Sequence, residues 1–297
     1  MKIGSAIGYY LLIKPISMLP HWCLYLLSDF LCFLFRRVVK YRVKIIRGNI
    51  EGAFPEKSIK EIREIEAGFY RHFCDLIVEG IKNFSISRAE AQKRMVAVNP
   101  EVFEKYMSED RQVLFCGAHY NNWELWALAM PIYTNFDVTG IYKKLNNPFF
   151  ERKMLESRTK YGLKLIETKS LDDDYFIKPG MRASVFAFDQ SPQKSKRAYW
   201  IKFLGRPTAC FFGPEKFSVK YDIPILYGVM TKVKRGYYEI KFETIVEKPQ
   251  QTGYGEITRI LNRELEKQIY ADPQYWLWSH RRWKHSDLPK ELEGKIK

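Results

Sequence analysis

His119 and Glu124 lie in the run Cys116-Gly117-Ala118-His119-Tyr120-Asn121-Asn122-Trp123-Glu124-Leu125. A neutral imidazole is a good general base near pH 7, and a carboxylate can hold it in one tautomer. Ahead of the pair, Val113, Leu114 and Phe115 read as a strand that runs into a Gly-Ala turn. Asn121 or Asn122 can then cap the helix that carries Glu124. The pair therefore falls where a strand ends and a helix begins, which is where open α/β sheets bind ligands. The plainer alternative is a capped helix whose first turn carries a His and a Glu by coincidence. Cys116, just before the turn, is a second reactive group by type, but its strand-end position reads as packing.

The elements that must position these groups are legible at coarse grain. Ser58-Ile59-Lys60-Glu61 is a capping box, and Ile62, Ile65, Phe69, Phe73, Leu76 and Ile77 follow at helical spacing. His72, on that helix, reads as a packed or surface histidine. Val138–Tyr142 reads as a strand, and Asn147-Pro148 opens a helix that ends near Gly162. Leu163–Ile166 resumes as strand, and Asp172-Asp173-Asp174 reads as a solvated turn. Ala183–Phe188, ending at Asp189, is a continuous apolar run of the kind found in a buried parallel strand, and Ile223–Met230 is similar. Tyr238, Ile240, Phe242 and Thr244 alternate with polar neighbours, so that strand has one exposed face. Ile257, Ile260, Leu261, Leu265 and Ile269 mark a late helix. Strands alternating with helices predict an α/β sheet sandwiched by helices.

The whole chain has 297 residues, with 49 basic against 34 acidic side chains and a formal charge of +15. Its 15% aromatic content, joined to that charge, suits an anionic and partly apolar surface, either phospholipid or nucleic acid. The five cysteines form no CxxC pair, which argues against a zinc or redox motif and for buried thiols in a reducing compartment. No metal site is expected. Ile16–Phe35 is mostly apolar and roughly long enough to cross a bilayer as a helix, but Pro20, His21 and Asp29 weaken a simple span. Arg36, Arg37, Lys40, Arg42, Lys44 and Arg47 follow, as expected for a cytoplasmic flank facing anionic head groups. Two membrane readings stand, a span and an in-plane helix, beside a buried core helix with a basic neighbour.

Several landmarks then fall in one order: Arg47-Gly48-Asn49-Ile50-Glu51-Gly52-Ala53-Phe54-Pro55; His119 to Glu124; Gly140-Ile141-Tyr142-Lys143 with Asn147-Pro148; Asp189-Gln190; Phe203-Leu204-Gly205-Arg206-Pro207-Thr208; and Tyr275-Trp276-Leu277-Trp278-Ser279-His280-Arg281-Arg282-Trp283-Lys284. This series resembles the bacterial lipid A biosynthesis acyltransferases of the lauroyl and myristoyl type, over nearly the whole chain. The resemblance implies a glycerolphosphate-acyltransferase-like α/β fold, a mixed sheet flanked by helices, with an N-terminal membrane-anchoring helix. It divides the chain into an anchor with its basic flank (1–47), an α/β acyltransferase domain (48–285) and a polar tail (286–297). Two departures stand out. The family often has Arg after the Tyr of the third landmark, where this chain has Lys143, which keeps the charge and loses the bidentate fork. The Glu-Gly-Thr-Arg element of the wider glycerolphosphate acyltransferases is missing, which disfavours a glycerophosphate acceptor.

The resemblance further implies an enzyme at the cytoplasmic face of the bacterial inner membrane. It would move an acyl chain from acyl carrier protein, or from coenzyme A, to a hydroxyl of a lipid A precursor, with no cofactor beyond that acyl donor. His119 would take the hydroxyl proton, and Glu124 would accept from its other ring nitrogen, with no covalent acyl-enzyme. Tyr142, Lys143, Asp189, Arg281 and Arg282 are the candidate substrate-binding residues, the cations for lipid phosphates or for the oxyanion. Asp189 would orient the acceptor sugar or hold a cation, unless it is an ordinary strand-end carboxylate. Lys194, Lys196, Arg197, Lys202 and Arg206, interleaved with Tyr199, Trp200 and Phe203, suit docking of the acidic carrier protein or anionic phospholipid; a solvated loop is the alternative. Three rivals are another glycolipid or an amino-acid lipid as acceptor, a non-catalytic membrane protein, and a nucleic-acid binder. The last lacks any zinc-finger, RNP-like or GXXG element, and nucleic acid is not an expected partner.

Overall fold

Nine strands are present among the described residues of the computed structural model, which cover 3–178, 180–192 and 198–285. They are β1 (Met95–Ala97), β2 (Val113–Gly117), β3 (Asp137–Tyr142), β4 (Lys164–Glu167), β5 (Arg182–Ala187), β6 (Tyr199–Phe203), β7 (Arg206–Cys210), β8 (Ile225–Lys234) and β9 (Tyr237–Val246). Seven make one sheet in the order β1-β9-β8-β2-β5-β3-β4, with β6 and β7 a separate hairpin. All neighbours in the large sheet are parallel except β8 and β9. The mixed α/β sheet flanked by helices is thus the fold that the alternating pattern predicts.

The central strands are apolar throughout because both of their faces are covered. Leu114 and Cys116 of β2 join the core on one side, with Phe69, Tyr70, Ile257 and Leu261 from helices, while Val113 and Phe115 join the other, with Phe103, Leu125 and Trp126. Cys116 is fully buried and its thiol is pushed well up by that burial, so it packs and does not react. The capping box at Ser58 has both of its hydrogen bonds, and the helix it starts runs Ile59–Lys82. His72, on that helix, is buried. Asp172 caps a short helix, Asp173–Ile177, where the acidic triplet reads as a plain turn. Lys202 and Arg206 of the basic stretch lie on the β6–β7 hairpin. Its two-residue turn holds Leu204 and Gly205 both at positive φ, a conformation that glycine takes without strain.

The N-terminal segment differs most from expectation. Leu19 and Pro20 are extended and break the apolar run, so that Gly4–Met18 and His21–Val38 meet at 119°. Among the described residues no single helix is long and apolar enough to cross a membrane. The inner face of the His21–Phe33 helix is tied to the rest of the molecule by polar contacts. Ser28 Oγ donates to Asp75 Oδ1 at 2.8 Å, Tyr25 donates to Glu79, and Arg235 spans Asp29 and Asp75. Its outer face carries Trp22, Leu26, Phe30 and Phe33, each 60–67% exposed. The tail from 286 on, and Lys194, Lys196 and Arg197 of the basic stretch, lie outside the described residues.

Candidate active site

Register alone brings the first two functional groups together. Gly117, the last residue of β2, pairs with Ala187, the last residue of β5. Two residues further on, each chain carries a titratable group: His119 and Asp189. His119 Nδ1 lies 2.7 Å from Asp189 Oδ1, and the His119 backbone N–H donates to both carboxylate oxygens at 3.1 Å. The Trp276 indole N–H donates to Asp189 Oδ2 at 2.9 Å. Asp189 is therefore buried with its acceptor sites filled, while the His119 side chain is 18% exposed.

These contacts set the protonation states. Burial alone would raise Asp189, but the charge and ring hydrogen bond of His119, with the indole and backbone donors, hold it down to about 2. Burial alone would lower His119, and the Asp189 carboxylate more than offsets it, so the imidazole pKa is raised. With Nδ1–H given to Asp189, the lone pair sits on Nε2 and faces the open side. There the exposed Gln190 side-chain amide lies 3.0 Å away.

The place expected for Glu124 is thus held by Asp189. Glu124 lies in the first turn of the Trp123–Ala129 helix, which Asn122 caps, and it faces the Pro148–Thr159 helix. There it takes both prongs of Arg158, Oε2 to Nε at 3.0 Å and Oε1 to Nη2 at 2.6 Å. Its negative charge still favours the protonated imidazole, but from a distance and without a hydrogen bond. Arg158 was not visible as a site residue in the sequence, because only the fold sets its helix against Glu124.

A cavity of ≈ 540 Å³ opens over His119. Lys143, Arg158 and Lys284 bring positive charge to its wall, and Lys143 has no hydrogen bond or ion pair among the described residues. Tyr142 lines it too, with its hydroxyl given to Glu151 Oε1 at 2.7 Å; burial and that carboxylate raise its pKa to about 12. The two C-terminal arginines do not line it. Arg281 is exposed elsewhere, and Arg282 is buried, donating to the Ala209 carbonyl at 2.6 Å and lying against Phe203. Arg282 is a core cation, and the cavity's cation from this segment is Lys284. A substrate-binding place for Arg282 is corrected on that ground: it is 2% exposed, its two terminal nitrogens donate to the Ala209 carbonyl and to Cys210 Sγ, and it does not line the cavity.

His280 also lines the cavity. Its Nε2 accepts from the Ser191 backbone N–H at 3.0 Å, so the neutral ring carries its proton on Nδ1, which has no partner among the described residues. Burial, helped by Arg282 and His119, holds its pKa down to about 4 and keeps it neutral at ordinary pH. The segment that carries it is clamped from three sides. Asn49 Nδ2 reaches the carbonyls of Trp278 and His280, Leu277 N–H reaches the His119 carbonyl, and Arg206 stacks on Trp283 at 4.1 Å. Three of the sequence landmarks are therefore one scaffold around the base. No group of three or more His, Cys, Asp or Glu suited to a metal ion occurs among the described residues.

An oriented histidine at the carboxyl edge of a parallel-rich sheet, under a cationic cavity, is an arrangement chemically able to take a proton from a bound hydroxyl. The chain belongs to the bacterial lipid A biosynthesis acyltransferase family, whose model matches residues 5–285, and it is an acyltransferase. It is 25% identical over 272 residues to the lipid A biosynthesis palmitoleoyltransferase of Escherichia coli (strain K12), covering 86% of this chain and 85% of that one. It is 24% identical over 285 residues to the lipid A biosynthesis lauroyltransferase of the same organism, covering 90% and 87%. A lipid A biosynthesis acyltransferase of Shigella flexneri matches at 25% over 272 residues.

Proposed function

We propose that the protein transfers a fatty acyl chain from an acyl thioester, carried by acyl carrier protein, to a hydroxyl of a lipid A precursor, with His119 as general base and Asp189 as its orienting partner. The contact that carries this reading is the 2.7 Å His119–Asp189 pair at the floor of the cationic cavity. Nε2 takes the acceptor's proton as its oxygen attacks the thioester carbonyl. Asp189 steadies the imidazolium that forms, as the carboxylate of a hydrolase triad does. The tetrahedral oxyanion then collapses, the C–S bond breaks, and the imidazolium returns the proton to the leaving thiolate. The products are an ester and a free thiol, with no enzyme nucleophile.

Arg158, Lys143 and the His280 Nδ1–H supply donors for the oxyanion or for the phosphates of the acceptor. Glu124 holds the Arg158 guanidinium in place for this purpose. Of the basic stretch considered for carrier-protein docking, Lys202 is exposed while Arg206 is engaged with Trp283. The exposed row Trp22, Leu26, Phe30 and Phe33, followed by Arg36 and Arg37, suits an in-plane seat on the cytoplasmic leaflet of the inner membrane.

The test is turnover of purified protein with lauroyl carrier protein and a lipid A precursor in mixed micelles. Positioned general-base catalysis contributes about two to four powers of ten in rate. His119→Ala is expected to lose at least that much while keeping its melting temperature near wild type. Turnover near wild type in that variant would remove His119 from the chemistry. Mass spectrometry of lipids from cells with and without the gene identifies the acceptor: loss of one acyl chain from lipid A supports the reading, and an unchanged lipid A profile overturns it.

A further inference from the structure

The imidazole of His119 is engaged on both ring nitrogens before any substrate arrives. With Nδ1–H given to Asp189, only Nε2 can take a proton, and its lone pair points at the Gln190 side chain. A lone pair meets a partner there only if that partner donates. The Gln190 amide therefore presents its N–H, with its Nε2 3.0 Å from the histidine Nε2. The ring is not free to turn from this contact. Asp189 holds one edge, and the Trp123 ring lies against it edge-on, with centroids 5.2 Å apart. The backbone on either side of Gln190 is fixed as well. Before it, Phe188 N–H donates to the Gly117 carbonyl at 3.3 Å; after it, Ser191 N–H donates to His280 Nε2 at 3.0 Å. Only the side chain is left to move. It is exposed, it lines the catalytic cavity, and its Oε1 has no partner among the described residues.

We propose that Gln190 is a removable cap on the general base: its amide holds His119 Nε2 while the site is empty, and the acceptor hydroxyl must displace it before it can be deprotonated. The proposal rests on the general-base reading above. An amide suits this place in both protonation states. It gives N–H to the free base and, turned over, offers Oε1 to the imidazolium, so the ring keeps its alignment in either form. The contact is also weak enough to yield. A neutral hydrogen bond on an exposed side chain contributes little net free energy, and a glutamine that lets go regains its rotamers. Three charged groups act on the same imidazole: Asp189 and Glu124 raise its pKa and Arg158 lowers it. His280, neutral at ordinary pH, lies in the same cavity wall. None of the four replaces the cap. Asp189 is on the other ring nitrogen, Glu124 and Arg158 are bound to each other, and His280 Nε2 is bound to Ser191. The contact thus marks where the acceptor oxygen sits.

Two variants test the cap, both at an exposed side chain, so wild-type melting temperatures are expected. Gln190→Ala removes it. Diethyl pyrocarbonate modifies neutral imidazole, and mass spectrometry of the peptide that carries His119 reads the rate without turnover. At a pH where the imidazole is free, that rate is expected to rise roughly two- to tenfold, the factor that one neutral hydrogen bond supplies. In transfer assays, kcat/KM for the lipid acceptor should rise by the same factor. With 1-butanol as a surrogate acceptor the gain should be equal, because the cap acts on the base and not on the acceptor. A residue that binds the acceptor would behave otherwise: kcat/KM lost for the lipid and unchanged for the alcohol, a result that overturns the proposal. Gln190→Glu places a carboxylate, which only accepts, at the same reach. It should raise the His119 pKa and move the acid limb of kcat/KM up by about one to three pH units. Wild-type labelling in Gln190→Ala together with a wild-type acid limb in Gln190→Glu would also overturn the cap. Labelling that rises in Gln190→Ala, in a protein that transfers no acyl chain, would refute the proposed reaction and leave the cap standing.

Discussion

The carboxylate under His119 makes a prediction about pH as well as rate. A raised imidazole pKa means that the free base, which the reaction needs, accumulates only above the ordinary imidazole range. Activity should therefore climb with pH through a midpoint above the ordinary imidazole value of 6.5. In Asp189→Asn the two largest effects that hold the pKa up, the Asp189 charge and its charged hydrogen bond, are removed, while the burial that lowers it stays and only the weaker pull of Glu124 still raises it. The acid limb of kcat/KM should then shift to lower pH even as kcat falls by about two to four powers of ten. A limb that does not move would mean that Asp189 does not set the protonation of His119. The same pair contributes to stability in a defined window. The share from Asp189, whose pKa is depressed from 3.8, is fully present above that value and is lost as pH falls toward about 2. The share from His119, raised from 6.5, is fully present below that value and is lost as pH rises through its folded pKa. Chemical denaturation of wild type should thus show the pair's greatest contribution between about pH 4 and 6.5, with that contribution missing in Asp189→Asn.

At the scale of elements, the catalytic loop is held by a segment more than a hundred residues away in sequence. Asn49 bridges the Trp278 and His280 carbonyls, so Asn49→Ala leaves the buried Trp278 carbonyl without its donor and takes one of two from His280, which keeps the Arg282 N–H. The expected cost is about 1–3 kcal/mol in urea denaturation, with a loss of turnover larger than the fall in stability, because His280 and the loop that carries His119 lose their support. A variant that loses stability but keeps wild-type kcat would show that the clamp serves the fold alone. The sequence made parts of this arrangement legible and hid others for physical reasons. Both His119 and Asp189 can be read as strand-end groups, since apolar runs precede each. That β2 lies beside β5 cannot, because β3 and β4 intervene in the chain and only the closed sheet decides the neighbours. Glu124 is nearby in sequence and so looks like the partner of His119, yet the actual partner lies 70 residues on. The β6–β7 hairpin escaped notice because Leu204, at the first turn position, is a poor marker for a positive φ. Arg282 looked like a ligand cation because burial of a lone arginine among aromatic residues leaves no trace in spacing.

For the whole molecule, the decisive feature is which face is left apolar. The row from Trp22 to Phe33 is exposed because the opposite side of that helix is taken by Leu24, Ser28 and their partners. If this row enters a leaflet, Trp22 fluorescence should shift to shorter wavelength on vesicles containing anionic lipid. Replacing Leu26, Phe30 and Phe33 together by Ser should weaken vesicle co-sedimentation by roughly a hundredfold or more, as expected for the loss of three buried apolar side chains. Raising salt should weaken it further through Arg36 and Arg37. Binding unaffected by either change would place the contact elsewhere.

The link from Arg235 to both Asp29 and Asp75 has a kinetic consequence. It bolts the apolar row to the strand connection between β8 and β9, so a molecule resting on a bilayer would rest at one tilt, with its catalytic opening at one height. Acceptor lipids would then arrive by sideways diffusion in two dimensions. Rate should follow the mole fraction of acceptor in the surface and not its amount per volume. Diluting the acceptor with inert phospholipid at constant bulk concentration is expected to slow the enzyme, and adding buffer to the same vesicles is not.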